Sequence, residues 1–304
     1  MNTAPLALFV YNRPWHTRHT VEALLANAEA KDTDLYVFSD AAKNNLASKA
    51  MSEVRAYVHE ISGFRSVTII EREVNFGLAQ SIIEGVTQVC RRHGKIIVLE
   101  DDMVTSPHFL KFMNDGLEFY ANEERVISIT GYTYPVTDKL PETFFLRGAD
   151  CWGWATWKRG WELFEQDGRH LLEELFRQKL TEKFDFDNSY PYTKMLKSQI
   201  AGKNNSWAIR WYASAFLKNK LTLYPVSSCV LNIGMDDSGT HCSSAVKHEG
   251  KLAHVSIQVG HVPVEESAVA RQSFINFHRK ARTNLFIKSF RRLVAAVQRR
   301  VGTK

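Results

Sequence analysis

Continuous apolar runs alternate with amphipathic stretches through the first 130 residues of the chain. The runs predict strands at Leu6–Tyr11, Leu35–Phe38, Val67–Ile70, Lys95–Leu99 and Val126–Ile129. Apolar residues spaced three and four apart predict helices around Val21, Leu24 and Leu25, and at Ser48–Ile61, Leu78–Val89 and Phe109–Tyr120. Because strands that are apolar on both faces need cover on both faces, this order predicts an α/β fold, doubly wound around a mostly parallel sheet.

The regular pattern loosens after residue 130 into a segment rich in aromatic residues. Four tryptophans fall between residues 152 and 161, and Trp207 and Trp211 are four residues apart. No internal repeat or low-complexity linker separates the two parts. We therefore predict one domain over residues 1–262, with a regular half at 1–130 and an aromatic half at 131–262, followed by a tail at 263–304.

Composition narrows the class of protein. The chain has 304 residues, is 44% hydrophobic and carries a net charge of +6, which is ordinary for a globular protein apart from the charge. The four cysteines show no CxxC spacing, and no secretion signal is recognisable, so a reducing cytosolic setting is expected. No apolar run approaches the roughly 18 residues that span a bilayer.

Polar residues follow each of the first four predicted strands. They are Asn12 and Arg13, Ser39 and Asp40, Asn75 and Gly77, and the acidic triplet Glu100, Asp101 and Asp102. Ligands of doubly wound sheets bind outside the carboxyl ends of the strands, so these groups are expected to form one site. No GxGxxG or Walker sequence occurs at these turns, which argues against a dinucleotide oxidoreductase or a P-loop NTPase.

The acidic triplet calls for a cation. Adjacent carboxylates raise one another's pKa unless a positive charge neutralises them, and oxygen ligands suit Mg²⁺ or Mn²⁺. A divalent ion shared with a diphosphate would offset the charge on the leaving oxygen. The alternative is a solvated acidic turn, with Asp102 or Ser106 capping a helix that starts near Pro107.

Four motifs in this order resemble the nucleotide-sugar glycosyltransferases of the GT-A fold. The motifs are Tyr11-Asn12-Arg13-Pro14, Phe38-Ser39-Asp40, Asn75-Phe76-Gly77-Leu78-Ala79 and Glu100-Asp101-Asp102. The resemblance covers about residues 5–245 and is closest to bacterial family 2 enzymes and the related N-acetylglucosaminyltransferase I group. It implies transfer of a sugar, with inversion, from a nucleotide-diphosphate sugar to a glycan or lipid-linked acceptor in bacterial surface polysaccharide synthesis, with Mn²⁺ or Mg²⁺ as cofactor.

The resemblance also implies roles for individual residues. Asn12 and Arg13 would lie near the base, Asp40 would bond its ring, Asn75 and Gly77 would flank the ribose and phosphates, and Glu100 or Asp101 would meet the ribose or sugar. Asp102 would be the direct metal ligand, and His241 could complete the metal or diphosphate site. Local alternatives remain, since Asp40 and Asn75 could be caps and Gly77 a turn residue.

A general base must lie outside the metal cluster, and the sequence leaves three candidates. The helix that carries the base in many family 2 relatives has no carboxylate here, at 206–211. Asp150 precedes a loop in which Trp152 and Trp154 flank a glycine, an arrangement typical of sugar stacking. Asp236 and Asp237 lie in a polar loop that ends at His241. Arg210 is either a structural ion-pair partner or a diphosphate contact.

Residues 265–304 hold ten Lys and Arg against two Glu, a local charge of +8. Apolar residues from Phe274 onward fall at helical spacing, so an amphipathic basic helix is predicted, typical of peripheral contact with an anionic membrane surface on the cytoplasmic side. The alternative is a helix docked on the domain. No nucleic-acid recognition module accompanies it. Competing functions are a sugar-phosphate nucleotidyltransferase and an inactive membrane-associated module that binds sugar nucleotides.

Overall fold

The computed structural model describes residues 3–236 and 252–283. The strands are β1 Leu6–Val10, β2 Asp34–Ser39, β3 Ser66–Glu71, β4 Lys95–Glu100, β5 Met103–Thr105, β6 Val126–Thr130, β7 Thr143–Arg147, β8 Trp154–Trp157, β9 Leu221–Pro225 and β10 Val230–Asn232. The helices are α1 Pro14–Leu25, α2 Asn45–Val58, α3 Gly77–His93, α4 Phe109–Phe119, α5 Lys158–Trp161, α6 Gly168–Arg177, α7 Thr181–Phe184, α8 Tyr192–Ile200 and α9 Trp207–Leu217. Residues 268–283 are also helical.

Eight strands form one sheet in the order β3-β2-β1-β4-β8-β6-β9-β7. The first four strands of this order are parallel, and only β8 and β7 run the opposite way. All five predicted strands and all four predicted helices are present, so the α/β, mostly parallel prediction is confirmed. Six strands therefore point their carboxyl ends at one edge, where the loops converge.

Both faces of the sheet are covered, as continuous apolar strands require. Leu6 and Leu8 of β1 pack on the face that holds α1, α2 and α4, while Ala7 and Phe9 pack on the opposite face with α3. Successive residues of a strand point to opposite faces, so a strand buried on both sides cannot show a polar alternation. The apolar runs of the sequence thus report burial between two helical layers.

Five strands were not predicted, namely β5, β7, β8, β9 and β10, and they connect the two halves of the chain. β8 lies inside the main sheet, antiparallel to both β4 and β6, so the aromatic half shares the sheet of the regular half. Its Trp154 is 1% exposed and stacks on Trp207 with ring centroids 5.4 Å apart. Trp154 is therefore a core residue, and the expectation that it contacts sugar is wrong.

The described part of the tail is docked on the domain. Ala270, Phe274 and Ile275 of the 268–283 helix are at most 2% exposed and belong to a core cluster that also includes Phe144 of β7. For these residues the docked alternative is the one observed. The predicted basic amphipathic segment continues at 284–304, which lies outside the described residues. Within the described part of the chain, no helix is both long and apolar enough to cross a bilayer.

Replacement of Trp154 tests the packing of the aromatic half in the core of the sheet. Trp154→Ala should lower the free energy of unfolding by about 3–5 kcal/mol, the usual cost of emptying a large buried aromatic site. Trp15→Ala is the matched control, because Trp15 is 56% exposed on α1 and its loss should cost only about 0.5 kcal/mol. Urea denaturation of both variants measures the difference, and equal losses would contradict a buried role for Trp154.

Candidate functional site

The acidic triplet lies where β4 ends, and a two-stranded ribbon brings a second loop beside it. β5 follows the triplet directly and pairs antiparallel with β10, with Asn232 opposite Met103. The amide of Ile233 donates to the carbonyl of Asp102 at 2.9 Å. This pairing, which the sequence pattern did not reveal, carries the chain from Asn232 to Asp236 across the triplet.

Arg13 is the cation at the centre of the cluster. Its Nη1 lies 2.8 Å from Oδ2 of Asp102 and 4.0 Å from Oδ1 of Asp101, while its Nη2 lies 3.6 Å from Oδ1 of Asp236. The side chains of Arg13 and Asp102 are each 15% exposed, whereas that of Asp236 is 45% exposed. Arg13 thus joins the loop after β1 to the triplet and to the loop after β10.

Gly234 allows this close approach. A Cβ atom at Gly234 would collide with Oδ2 of Asp102 and would lie 2.8 Å from both terminal nitrogens of Arg13. Only glycine leaves room there. The other carboxylate oxygen of Asp102, Oδ1, is buried and has no hydrogen-bond partner among the described residues. A buried anionic oxygen without a hydrogen-bond partner is costly. Oδ1 of Asp102 is therefore the oxygen of the cluster that is best suited to bind a ligand.

Burial and mutual repulsion keep the triplet short of full ionisation. Burial, followed by repulsion from Asp102 and Asp101, raises the pKa of Glu100 to about 8. Burial, followed by repulsion from Asp102, raises the pKa of Asp101 to about 7. Arg13 opposes both shifts without cancelling them. Glu100 is therefore mostly protonated at neutral pH, which is what carboxylates do when the available positive charge is too small.

His16 belongs to this cluster and was not recognised from the sequence. It is 6% exposed, and its Nε2 lies 3.1 Å from Oδ2 of Asp236. Burial, with the nearby charge of Arg13, lowers the pKa of His16, which favours the neutral ring. Arg13 and His16 are three residues apart at the start of α1, so one face of the helix presents both. That spacing was the available signal.

Asp40 anchors the turn that begins α3. Its Oδ1 accepts from the amides of Ala41 and Phe76, both at 2.9 Å, and its Oδ2 accepts from the amide of Gly77 at 2.8 Å and from Nδ2 of Asn75 at 3.0 Å. Gly77 has φ +71°, which favours glycine. Four donors fill the acceptor capacity of a carboxylate. A contact from Asp40 to a base ring, which stays a prediction, would require one of these donors to leave.

The residues present fit a divalent cation at one point. In residues 3–236 and 252–283 no group of three or more His, Cys, Asp or Glu side chains is arranged to hold a metal. Asp102 nevertheless offers an unpartnered buried oxygen, and one or two carboxylates plus phosphate oxygens and water are a usual set for Mg²⁺. Asp237 and His241 lie outside the described residues. Asn12 is half-buried in the loop that carries Arg13.

Asp150 lies close to the triplet on another loop. Its Oδ1 accepts from the amides of Cys151 at 2.6 Å and Trp152 at 3.3 Å, and the hydroxyl of Tyr224 donates to its Oδ2 at 3.5 Å. Burial raises the pKa of Asp150. The charges of Asp150 and Glu100 both help to raise the pKa of the Cys151 thiol, after its burial. Cys151 is therefore within electrostatic range of both carboxylates.

Arg210 has a structural role. It is 7% exposed, and its guanidinium donates to the backbone carbonyls of Ser206 at 3.2 Å and Gln166 at 3.3 Å. Ser206 caps α9 by accepting from the amide of Ile209 at 3.2 Å. The missing carboxylate in this segment is thus explained by packing, because α9 is a core helix.

Comparison with known proteins yields distant structural likenesses. No protein-family model matches the chain, and no curated protein matches it. Among solved structures, the mannosyltransferase PcManGT from Pyrobaculum calidifontis, in complex with GDP-Man and Mn²⁺, aligns at 13% identity and a TM-score of 0.34, over 57% of this chain and 47% of that one.

Two structures of S. aureus TarS are also similar. One aligns at 14% identity and a TM-score of 0.31, over 48% of this chain and 24% of that chain. The other, TarS 1-349, aligns at 10% identity and a TM-score of 0.39, over 74% of this chain and 59% of that chain. Likenesses this weak do not assign an activity, which is inferred below from the site.

The raised pKa of Glu100 provides a test of the electrostatics of the acidic triplet. Its pKa is raised from 4.5 to about 8 on folding. A raised pKa stabilises the fold below pH 4.5, and that contribution is lost as the pH rises towards 8. The free energy of unfolding of Glu100→Gln, relative to the native chain, should therefore increase between pH 5 and pH 8.5, by on the order of 2 kcal/mol.

Urea denaturation at the two pH values measures this change. Glu53→Gln, an exposed change on α2, is the control and should show no such dependence. A pH-independent difference between Glu100→Gln and the native chain would contradict the burial of Glu100 against two other carboxylates.

Proposed function

We propose that this chain is a glycosyltransferase of the GT-A type that transfers a sugar from a nucleotide-diphosphate sugar to a glycan or lipid-linked acceptor, with inversion at the anomeric carbon. A role in bacterial surface polysaccharide synthesis follows from the resemblance of its four ordered motifs. Contact of the basic tail with an anionic membrane surface stays part of the proposal and concerns its second half, residues 284–304, which lies beyond the described residues.

The unpartnered Oδ1 of Asp102 is the observation that carries the proposal. It lies at the carboxyl end of a central parallel strand, where open α/β sheets bind their ligands. Burial first, and then repulsion within the triplet, raise the pKa values of Glu100 and Asp101 beside it, and Arg13 offsets this only in part. A site of this kind gains from a divalent cation together with a diphosphate, which brings its own oxygen ligands.

Asp102 would hold the cation through Oδ1, and Mn²⁺ or Mg²⁺ would supply positive charge next to the leaving diphosphate. Arg13 lies against the same carboxylate and is placed to bind a phosphate oxygen. The guanidinium is a rigid donor of paired hydrogen bonds, well suited to phosphate. Asp237 and His241 stay candidates for completing the set.

Asp150 is the general base that the geometry favours. Asp236 already faces Arg13 and His16, and its side chain is 45% exposed. Asp150 is half-buried and has a raised pKa, which brings a carboxylate closer to the range suited to accepting a proton at neutral pH. Its Oδ1 is fixed by two amides, so its orientation is set before any acceptor arrives.

In the proposed step the acceptor hydroxyl oxygen forms a bond to the anomeric carbon from the side of Asp150. The bond between that carbon and the diphosphate oxygen breaks, and the diphosphate leaves with the electron pair. The hydroxyl proton passes to the Asp150 carboxylate. An inactive module was favoured only by the lack of a carboxylate at 206–211, and Asp150 supplies one elsewhere.

Asp102→Asn tests the function. It keeps the shape of the side chain but removes its charge, so transfer from UDP- or GDP-sugars should lose about 10²–10³-fold in kcat/KM, typical for removal of one electrostatic group. Release of the nucleoside diphosphate with and without Mn²⁺ is the measurement. Asp138→Asn, an exposed change in the loop after β6, is the control and should be fully active. Metal-independent turnover or full activity of Asp102→Asn would overturn the proposal.

A further inference from the structure

Tyrosines from several segments gather around Asp150, beside the acidic triplet but not part of it. They are Tyr132 and Tyr134 after β6, Tyr190 and Tyr192 at the start of α8, and Tyr224 in β9, and together with Trp152 they form what we call the tyrosine chamber. The negative charge of Asp150 contributes to a raised pKa for each of the five tyrosines, after burial. All five hydroxyls therefore lie within electrostatic range of one carboxylate.

Ring contacts define the walls of the chamber. Trp152 and Tyr132 lie with ring centroids 4.5 Å apart, and Tyr132 and Tyr134 lie 5.2 Å apart, both edge to face. On the other side Tyr190 and Tyr192 lie 4.5 Å apart. Edge-to-face packing fixes the rings in place. The walls are therefore preformed.

Some members of the chamber reach the surface. Tyr132 is 4% exposed and Tyr224 is 6% exposed, so these two form its floor. The remaining members, Trp152, Tyr134, Tyr190 and Tyr192, are half-buried, as is Asp150. A packed aromatic core would bury all of these side chains, as it does at Trp154 and Trp211. A carboxylate among partly exposed aromatic rings is instead typical of a ligand site.

The chemistry of the chamber selects a neutral, hydroxyl-rich ring. The described groups that act on the pKa of Asp150 are two backbone amides and one tyrosine hydroxyl, with no Lys or Arg among them. An anionic ligand would therefore face the Asp150 carboxylate, and among the described side chains in ring contact with the five tyrosines the one basic group is the imidazole of His278, 4.7 Å from Tyr190 and 4.8 Å from Tyr134 between ring centroids. Aromatic faces bind the C–H faces of a pyranose, and tyrosine hydroxyls donate to and accept from its hydroxyl groups.

The position of the chamber relates it to the donor site. Cys151 follows Asp150 directly, and its thiol lies within electrostatic range of Asp150, Glu100 and Asp102, whose charges add to the effect of burial in raising its pKa. The amide of Gly131 also donates to the carbonyl of Gly153 at 2.6 Å, which holds the start of the Tyr132 segment against the end of the Asp150 loop. The chamber and the triplet are thus neighbours, joined through the Asp150–Gly153 loop.

We propose that the tyrosine chamber binds a neutral sugar ring of the acceptor and turns one of its hydroxyls towards Asp150. This inference rests on the proposed function, in which the acidic triplet binds the donor and Asp150 accepts the proton. Half-buried Tyr190 and Trp152 supply the stacking surfaces, and the buried Tyr132 and Tyr224 set the depth.

Saturation-transfer NMR on the full chain tests the chamber directly. The probes are methyl β-D-glucopyranoside, methyl β-D-galactopyranoside and methyl N-acetyl-β-D-glucosaminide, with methyl β-D-glucuronide as the anionic contrast. We expect saturable binding of at least one neutral probe and weaker binding of the glucuronide. Tyr190→Ala and Trp152→Ala should each weaken the neutral probe by about tenfold, the factor that corresponds to about 1.4 kcal/mol of lost stacking.

Three further variants serve as controls. Tyr190→Phe keeps the ring and should retain most of the binding, which separates stacking from loss of fold. Phe119→Ala removes an exposed aromatic ring at the far end of α4 and should change nothing. Asp150→Asn keeps an oxygen for the Cys151 and Trp152 amides, so neutral probes should still bind while sugar transfer is lost and the glucuronide binds more tightly.

Two results would overturn the inference. One is the absence of saturable binding by any neutral probe; the other is equal binding by the native chain, Tyr190→Ala and Trp152→Ala. Nucleotide-sugar binding, measured by calorimetry on the same proteins, separates this failure from failure of the proposed function. Donor binding without glycoside binding contradicts the chamber alone, whereas glycoside binding without donor binding supports the chamber and contradicts the transferase.

Discussion

Three consecutive carboxylates at the end of a buried strand impose a charge constraint that shapes the whole site. Arg13 supplies one positive charge at 2.8 Å from Asp102, but burial and then repulsion between the carboxylates still raise the pKa values of Glu100 and Asp101. The β5–β10 ribbon and Gly234 allow the neighbouring loop to pass close to the triplet. A site that stays short of positive charge is suited to a ligand that arrives with a cation, and a metal-bound diphosphate is such a ligand.

Much of the fold was predictable because buried strands and helices carry apolar residues in a regular pattern along the sequence. β1 to β4 and β6 are apolar on both faces, and the helices between them keep a regular spacing. Five strands were missed, and for three of them, β5, β8 and β10, the physical reason is visible. β5 and β10 have three residues each, too few to show a repeating pattern of apolar residues. β8 contains two tryptophans that pack in the core, although tryptophans beside a glycine are also typical of sugar-binding loops. Pairing between distant segments, such as Asn232 with Met103, leaves no local signal.

Residues of the candidate site were predictable where their position at the end of a strand is enough to place them in the site. Residues that end parallel strands, such as Arg13 and Asp102, fall at one edge of the sheet whatever their side chains do. Contacts that depend on loop shape were not predictable, and Asp40 shows this, because three of its four hydrogen bonds come from a turn 35 to 37 residues away. His16 and the tyrosines around Asp150 were missed because single aromatic residues look like core until the loops that carry them are folded together.

Thermal shift with a panel of UDP- and GDP-sugars, each with and without Mn²⁺, is the most direct test of the claim that the acidic triplet binds a metal-bound nucleotide-diphosphate sugar. Ligands that bind only the folded chain raise its melting temperature. The account predicts that at least one nucleotide sugar does so with Mn²⁺, much less without it, and not in Asp102→Asn. No shift with any member of the panel, or a shift that ignores both Mn²⁺ and Asp102, would contradict it.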